Sequence, residues 1–173
     1  MQSSGGSIRL RPVERKDLEL WRDWINRDEI MAGLDRALPV TQAEHERFFE
    51  RNVVGNDRAV WFAIEAVDSA DFIGIIWLWD VDWRHRRGEV RVFIGEPTSA
   101  GKHYGRAAID AASTFAFRTL GLHKLYAYVH ARNGRSRAAF ESAGFRLEAT
   151  LEKEAFWDGG FFDVWRVCRL SSS

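Results

Sequence analysis

The stretch that decides the fold runs from Glu89 to Phe145 and reads EVRVFIGEPTSAGKHYGRAAIDAASTFAFRTLGLHKLYAYVHARNGRSRAAFESAGF. It contains a β-rich run, Glu89–Gly95, then a loop with glycines, then a long helical segment from Arg106 to about Leu120. Gly121 stands where a glycine commonly ends a helix, and Lys124–His130 is typical of a second strand. The pattern predicts a strand, a glycine-bearing loop, a helix and a further strand.

The segments on either side extend this stretch into one α/β (α+β) domain. Strands are predicted at 8–11, 59–66, 72–79, 145–151 and 161–170, and helices at 14–26, 41–52 and 136–143. The order is β-α-α-β-β-β-α-β-α-β-β, without an internal repeat or linker. We therefore expect a single domain over residues 8–170, built on a sheet of mixed direction. Residues 1–7, which are small and polar, are expected to form a flexible leader.

Composition limits the classes of partner and the compartment. The 173 residues carry 25 basic and 25 acidic side chains, and this balance argues against a sequence-independent grip on nucleic acid. No run approaches the ~20 apolar residues that a membrane-spanning helix needs. Cys168 is the only cysteine, which excludes an internal disulfide and a cysteine-pair metal site. We expect a cytoplasmic protein without nucleic-acid, membrane or metal partners.

The loop before the long helix has the chemistry of a phosphate site. The first turn of a helix leaves backbone N–H groups without partners, and the helix dipole adds positive potential there. Gly101 and Gly105 would let the backbone approach a diphosphate closely, and Lys102 and Arg106 add charge. The loop matches neither a Walker motif nor the GxGxxG fingerprint. By itself it leaves the ligand open.

Three short motifs follow in order: Leu120-Gly-Leu-His-Lys124, Asn133-x-x-Ser136 and Glu141-x-x-Gly-Phe145. With these motifs the chain resembles the GNAT superfamily of N-acetyltransferases, and within it the RimJ/RimL-type branch, from about Ile8 to Leu170. The resemblance implies a mixed, mostly antiparallel sheet with a splayed parallel central pair and flanking helices. It also implies that acetyl-CoA is the co-substrate and a primary amine the acceptor. The amine could belong to a protein N-terminus, an amino acid, an amino sugar or an amino-modified natural product.

The resemblance also assigns residues to the donor site. Phe93 and Ile94 would lie beside the pantetheine arm, Asn133 would bond the pantetheine or the reaction centre, and Ser136 would lie near the thiol end. The loop that would hold the diphosphate comprises Gly101, Lys102, His103, Tyr104, Gly105 and Arg106.

The chain departs from the family pattern at the donor site. Ala100 and His103 stand where the family loop has other residues, a glycine in the case of His103. Phe140 stands where many members have a tyrosine that protonates the leaving thiolate. Phenylalanine has no proton to give, so water or another residue would have to supply it. These departures keep a second hypothesis open, an acyl-CoA-binding or sensing module without turnover.

An amine must lose a proton before it attacks a thioester, and a carboxylate can take that proton directly or through water. Glu89 is the candidate base, because it begins the strand that would line the cleft and similar proteins place a glutamate there. The alternative for Glu89 is a strand-end carboxylate paired with Arg87 or Arg91. His85 is a second candidate base, with a solvated loop histidine as its alternative.

The acceptor site is expected to draw on residues outside the donor stretch, with core or hairpin packing as the alternative for each. The candidates are Trp24, Asn26, Trp79, Trp83 and His85. Two unpaired sheet edges and an aromatic-rich surface are also compatible with a possible homodimer.

Overall fold

The computed structural model describes residues 7–34, 37–96 and 103–171. Seven strands form one sheet: β1 (Ile8–Pro12), β2 (Val60–Ala66), β3 (Phe72–Asp82), β4 (Arg87–Ile94), β5 (Lys124–His130), β6 (Arg146–Trp157) and β7 (Gly160–Leu170). Their order across the sheet is β1-β2-β3-β4-β5-β7-β6. Neighbours are antiparallel except at the centre, where β4 and β5 run parallel. The predicted mixed, mostly antiparallel sheet with a parallel central pair is confirmed.

Five α-helices accompany the sheet in the described ranges: α1 (Leu18–Ile25), α2 (Asp28–Gly33), α3 (Gln42–Phe48), α4 (Tyr104–Arg118) and α5 (Gly134–Ser142). A 3₁₀ turn precedes α1, and a π-helix, Phe49–Val54, continues α3. A capping box of Thr41 and Glu44 starts α3, within the helix predicted at 41–52. No helix was predicted between residues 26 and 41, but α2 occupies six residues there. So short a helix has too little periodicity to detect.

The sheet separates two apolar clusters. On one face, α4 and α5 pack against inward residues of nearly all strands, among them Leu78, Val90 and Leu125. On the other face, the second cluster joins α1 and α3 to β2, β3 and β4. Within the described ranges this second cluster includes no residue of β5, β6 or β7. Among the described residues, no helix shares an apolar cluster with that face of β5, β6 and β7.

Tryptophans fill the second cluster. Trp61 and Trp77 stack face to face, with ring centroids 4.7 Å apart and planes at 8°. The Trp61 Nε1–H donates to the Asn52 carbonyl oxygen in the π-helix at 2.7 Å, so the polar edge of the buried ring has a partner. Trp21 packs beside them at 5.5 Å from Trp61. These three rings are part of the core.

Candidate active site

β4 and β5 begin as a regular parallel pair and then separate. Their register comprises three pairs, the last of which is Glu89–Tyr126. β4 nevertheless continues to Ile94 and β5 to His130. The remainder of β4 stays paired with β3 on its other side, up to Ile94–Gly74. An opening therefore starts at Glu89 and widens toward the carboxyl end of β4, as predicted for a splayed pair.

The backbone of β4 faces this opening with every second residue. The N–H of Gly95 donates to the Ile73 carbonyl oxygen at 2.9 Å, so the odd-numbered residues of β4 bond toward β3. Because bonding direction alternates along a strand, Val92 and Ile94 turn their N–H and C=O groups toward β5. An extended ligand in the opening could bond to these groups as an inserted strand would.

Glu89 lies at the apex of the opening, in a row with two aromatic residues. Trp79 pairs with it across β3 and β4, and Tyr126 across β4 and β5, so the three side chains share one face of the sheet. Glu89 is only 6% exposed. Burial first, and then the negative charge of Glu89, raise the pKa of the Tyr126 hydroxyl.

The carboxylate of Glu89 is already paired. The Nε of Arg91 donates to its Oε1 at 2.6 Å and one terminal nitrogen donates to its Oε2 at 3.2 Å. The alternative of a strand-end pair with Arg91 is therefore realised, whereas Arg87 lies 3.7 Å from Asp82 instead. A pair of this geometry fixes the carboxylate at the apex. Whether Glu89 also acts as the base stays a prediction.

Two further cations lie beyond Tyr126 on the same face. The guanidinium carbon of Arg166 lies 4.5 Å from the Tyr126 ring centroid and 5.7 Å from that of Tyr128. Arg166 and Lys124 both form ion pairs with Glu148. The hydrogen bond from Lys124 is the main reason that the pKa of Glu148 lies below its usual value.

The described part of the predicted diphosphate loop begins at His103. Gly101 and Lys102 lie outside the described residues. His103 has φ 56°, in the left-handed region that favours glycine, and it precedes the first turn of α4. The glycine expected here by resemblance thus has a conformational reason, and histidine adopts the same backbone at a cost of about 1 kcal/mol.

The first turn of α4 carries the other donor-loop candidates. Tyr104 is buried in the apolar cluster under the sheet, so its side chain serves packing. A Cβ added at Gly105 would meet nothing within 4 Å, which leaves space next to the first-turn amides. Arg106 is the exposed cation of this turn. The arrangement provides amides and one positive charge for an anion.

Asn133 and Ser136 lie together at the start of α5. The Asn133 side-chain oxygen accepts a hydrogen bond from the Ser136 backbone N–H at 2.9 Å, which caps the helix. Their predicted contacts with the thiol end stay predictions. Phe140, further along α5, is 3% exposed and packs edge-on against Phe145 at 5.1 Å. Its ring contributes to the core.

The acceptor candidates near α1 serve packing. Trp24 is fully buried and contacts Phe93 edge-on, with ring centroids 6.2 Å apart. The side chain of Asn26 is bonded twice to the Val40 backbone, donating to its carbonyl oxygen at 3.0 Å and accepting from its N–H at 2.7 Å. These two hydrogen bonds hold Val40, the residue before Thr41, in place next to Asn26. The packing alternative describes both residues.

Trp83 and His85 lie in the turn between β3 and β4, at the end of β4 away from the opening. The Trp83 Nε1–H donates to the Asp57 carbonyl oxygen at 3.2 Å, and the His85 backbone N–H donates to Asp82 at 2.9 Å. Both side chains are exposed. Of the acceptor candidates, only Trp79 lies in the row of Glu89.

Sequence reasoning missed Tyr126 and Arg166 as site residues. The alternation in KLYAYVH does place Tyr126 and Tyr128 on one face of β5. Their relation to Arg166 depends on the pairing of β5 with β7, where Tyr128 faces Arg166. No local pattern in the sequence gives that register.

The described residues contain neither a membrane-spanning helix nor a cluster of metal-binding side chains. In residues 7–34, 37–96 and 103–171, no helix combines the length and apolar character required to cross a membrane. The same ranges contain no group of three or more His, Cys, Asp or Glu side chains arranged to hold a metal ion.

Comparison with known proteins identifies the family. The model of the acetyltransferase (GNAT) domain matches residues 7–146. Spermidine N(1)-acetyltransferase of Vibrio cholerae is 28% identical over 165 residues, which cover 95% of this chain and 94% of that protein. The crystal structure of spermidine N-acetyltransferase from Vibrio cholerae with CoA and spermine superposes with a TM-score of 0.88, at 28% identity and 95% coverage of each chain.

A dodecameric structure of the Vibrio cholerae enzyme superposes with a TM-score of 0.79, at 26% identity, covering 95% of this chain and 94% of that one. These relatives do not support the finer assignment to the RimJ/RimL-type branch, because they are spermidine N-acetyltransferases. The chain therefore belongs to the acetyltransferase (GNAT) domain family, and it is an N-acetyltransferase with acetyl-CoA as its co-substrate.

Proposed function

We propose that this chain transfers the acetyl group of acetyl-CoA to a primary aliphatic amine at the apex of the β4–β5 opening. The observation that carries the proposal is the position of Glu89, a buried carboxylate where the two strands part. The names of the relatives make spermidine and spermine the first acceptors to test. The protein N-terminus, amino acid and amino sugar remain in the same panel.

The donor would occupy the opening from its wide end. Backbone groups of Val92 and Ile94 would bond the pantetheine arm, while the first-turn amides of α4 and Arg106 would hold the diphosphate. This placement brings the thioester to the Glu89–Tyr126 apex. Holding thioester and amine together can lower the barrier by up to about 7–11 kcal/mol.

The reaction then needs one proton transfer before the bond exchange. Glu89, directly or through water, takes a proton from the ammonium group of the acceptor. The free amine nitrogen attacks the thioester carbon, the N–C bond forms, and the C–S bond breaks. Backbone N–H groups in the opening can stabilise the oxyanion. As the CoA thiolate leaves, the nitrogen loses its second proton, and the thiolate gains one through water or a hydroxyl group, since Phe140 has none.

A thiol-release assay tests the proposal. Acetyl-CoA is incubated with polyamines, amino acids, amino sugars and N-terminal peptides, and free CoA is measured. We expect Glu89→Gln to lower turnover at least ~10-fold while the dissociation constant for CoA stays unchanged. Glu19→Gln, which alters an exposed glutamate of α1, is the matched control. Unchanged turnover in Glu89→Gln would remove Glu89 from the role of base.

The alternative of an acyl-CoA sensor predicts a different result in the same assay. A sensor would bind CoA and release no thiol with any amine. His103 and Phe140 are the residues that favour this alternative. The homodimer and the cytoplasmic location stay predictions, and size measurement in solution would test the first of them.

A further inference from the structure

The acceptor side of the apex is rich in positive charge. Ion pairs on and beside this face join Arg91 to Glu89, Arg87 to Asp82, and both Lys124 and Arg166 to Glu148. Four cations face three carboxylates, so these ion pairs have a net charge of +1. Glu89 is matched by Arg91, and the excess lies with Lys124 and Arg166, which share one carboxylate.

Arg166 is held in place but retains donors for a ligand. Its guanidinium stacks on Tyr126 and Tyr128. Its Nε lies 3.2 Å from Glu148 without the geometry of a hydrogen bond. Its two terminal nitrogens have no hydrogen-bond partner in the described part of the chain. With a side chain 27% exposed, it presents these donors to the open face.

The position of Arg166 relative to Glu89 defines a distance between two binding points. β7 lies two strands from β4, and Arg166 pairs with Tyr128, two residues beyond the partner of Glu89, so the two backbones are at least about 12 Å apart at the usual strand spacing and rise. The guanidinium leans toward Tyr126, the neighbour of Glu89. An amine at Glu89 would therefore place atoms several bonds away beside Arg166.

We infer that the acceptor is a primary amine that carries an anionic group, a carboxylate or a phosphate, which pairs with Arg166 while the amine meets Glu89. This inference rests on the proposed function and names its substrate class. Guanidinium groups bind carboxylate and phosphate in the same forked geometry. A polyamine has only cations to offer, and the excess positive charge of Lys124 and Arg166 opposes its approach.

Matched pairs of acceptors test the inference. Each pair differs in the anion alone: 6-aminohexanoate against 6-aminohexanamide for a carboxylate, and glucosamine 6-phosphate against glucosamine for a phosphate, with spermidine alongside. We expect the anionic member of one pair to have a kcat/KM at least ~10-fold higher, mainly through KM. The pair that shows the preference identifies the anion. The preference should decrease between low and high salt.

Variants assign the preference to Arg166. Arg166→Gln should reduce the kcat/KM ratio within the preferred pair to below ~3. Arg118→Gln, which removes an exposed arginine at the end of α4, should leave the ratio as in the parent protein. If thermal unfolding shows that Arg166→Gln is not folded, Arg166→Lys serves instead. It keeps the charge and loses the fork, so it should retain part of the ratio.

The possible outcomes distinguish a failure of this inference from a failure of the proposed function. If no amine of any class releases thiol, the proposed function is wrong. If amines are acetylated but the neutral members or spermidine do as well as the anionic ones, the function stands and the anion site is wrong. An anion preference that stays at the parent value in Arg166→Gln, or in Arg166→Lys where that variant serves instead, would also overturn the role of Arg166.

Discussion

The two halves of the sheet use the same kinds of side chain for opposite purposes. From β1 to β4, one face is covered by α1 and α3, and Trp61 and Trp77 are 7% and 6% exposed there. From β5 to β6, the same face has no helix in the described ranges, and Tyr128 is 44% exposed. The boundary is the β4–β5 opening. Trp61 and Trp77 are core on one side of it, whereas Tyr128 is exposed on the other.

Charged groups follow the same division. Under the covering layer, Arg11 bonds Asp17 through both terminal nitrogens at 2.7 Å and Glu65 through Nε at 2.5 Å. Asp17 and Glu65 are 3% and 8% exposed. On the open half, Arg166 and Glu148 keep about a quarter of their side-chain surface exposed. The covered network ties β1, β2 and the helical layer together, whereas the open pairs can exchange partners with a ligand.

The largest expected effect is on the covered tryptophans. Trp77→Ala removes a buried ring that stacks on Trp61, and we expect a loss of about 3–5 kcal/mol in the free energy of unfolding. Tyr128→Ala, on the open half, should cost less than about 1 kcal/mol. Urea unfolding of both variants measures the difference. Equal losses would show that the open face is packed as tightly as the covered one.

A second effect tests the fit of α1 against the end of β4. A Cβ at Gly95 would lie 2.0 Å from Cδ2 of Trp24, which is fully buried. We expect Gly95→Ala to destabilise the protein by about 1–3 kcal/mol because the indole has no room to move. Gly105→Ala, which adds a methyl group in open space, is the control. A neutral Gly95→Ala would mean that α1 is loosely held there.

The smallest effect concerns pH and salt. Burial opposes the ionisation of Glu65, but hydrogen bonds from Arg11 and Arg9 outweigh it and hold its pKa below the ordinary 4.5. A carboxyl group whose pKa is lower in the folded state stabilises the fold above its ordinary pKa and loses that contribution as the pH falls through the folded value. Stability should therefore fall from about pH 5 downward, and less so in Glu65→Gln.

Salt should affect the covered carboxylate, Glu65, less than the open one, Glu148. The pKa of Glu148 is also lowered, chiefly by Lys124, and Glu148 is more exposed than Glu65. In 1 M salt, where screening acts over ~3 Å, the contribution of Glu148 to the acid-dependent loss should disappear and that of Glu65 should persist. Urea titrations of Glu65→Gln and Glu148→Gln at pH 7 and 4 provide the comparison. The same salt response in both would contradict the division.

Local patterns predicted most of the strands and the long helix. The alternation in the runs at 59–66 and 124–130 indicated strands, and both are present as β2 and β5. The motifs from Leu120 to Phe145 indicated the family and hence the splayed pair. The extension of β3 to Asp82 and the short α2 were missed, because a bulge and a six-residue helix leave little periodic signal.

The site was predictable only where its residues lie on the motif-bearing stretch. Glu89 and the start of α4 were proposed from that stretch, and their roles stay predictions. Trp24 and Asn26 were expected at the acceptor, but they pack against Phe93 and bond Val40. Arg166 was not found, since its place beside Tyr126 results from the pairing of β7 with β5. Such contacts depend on long-range register, which no local pattern encodes.

A crystal structure with CoA and an amine acceptor tests the central claim most directly. We expect the pantetheine arm to bond the backbone of Val92 and Ile94 and the sulfur atom to lie at the Glu89–Tyr126 apex. There the acceptor nitrogen should reach the Glu89 carboxylate directly or through one water molecule. A coenzyme bound outside the opening, or an acceptor nitrogen beyond the reach of Glu89, would contradict it.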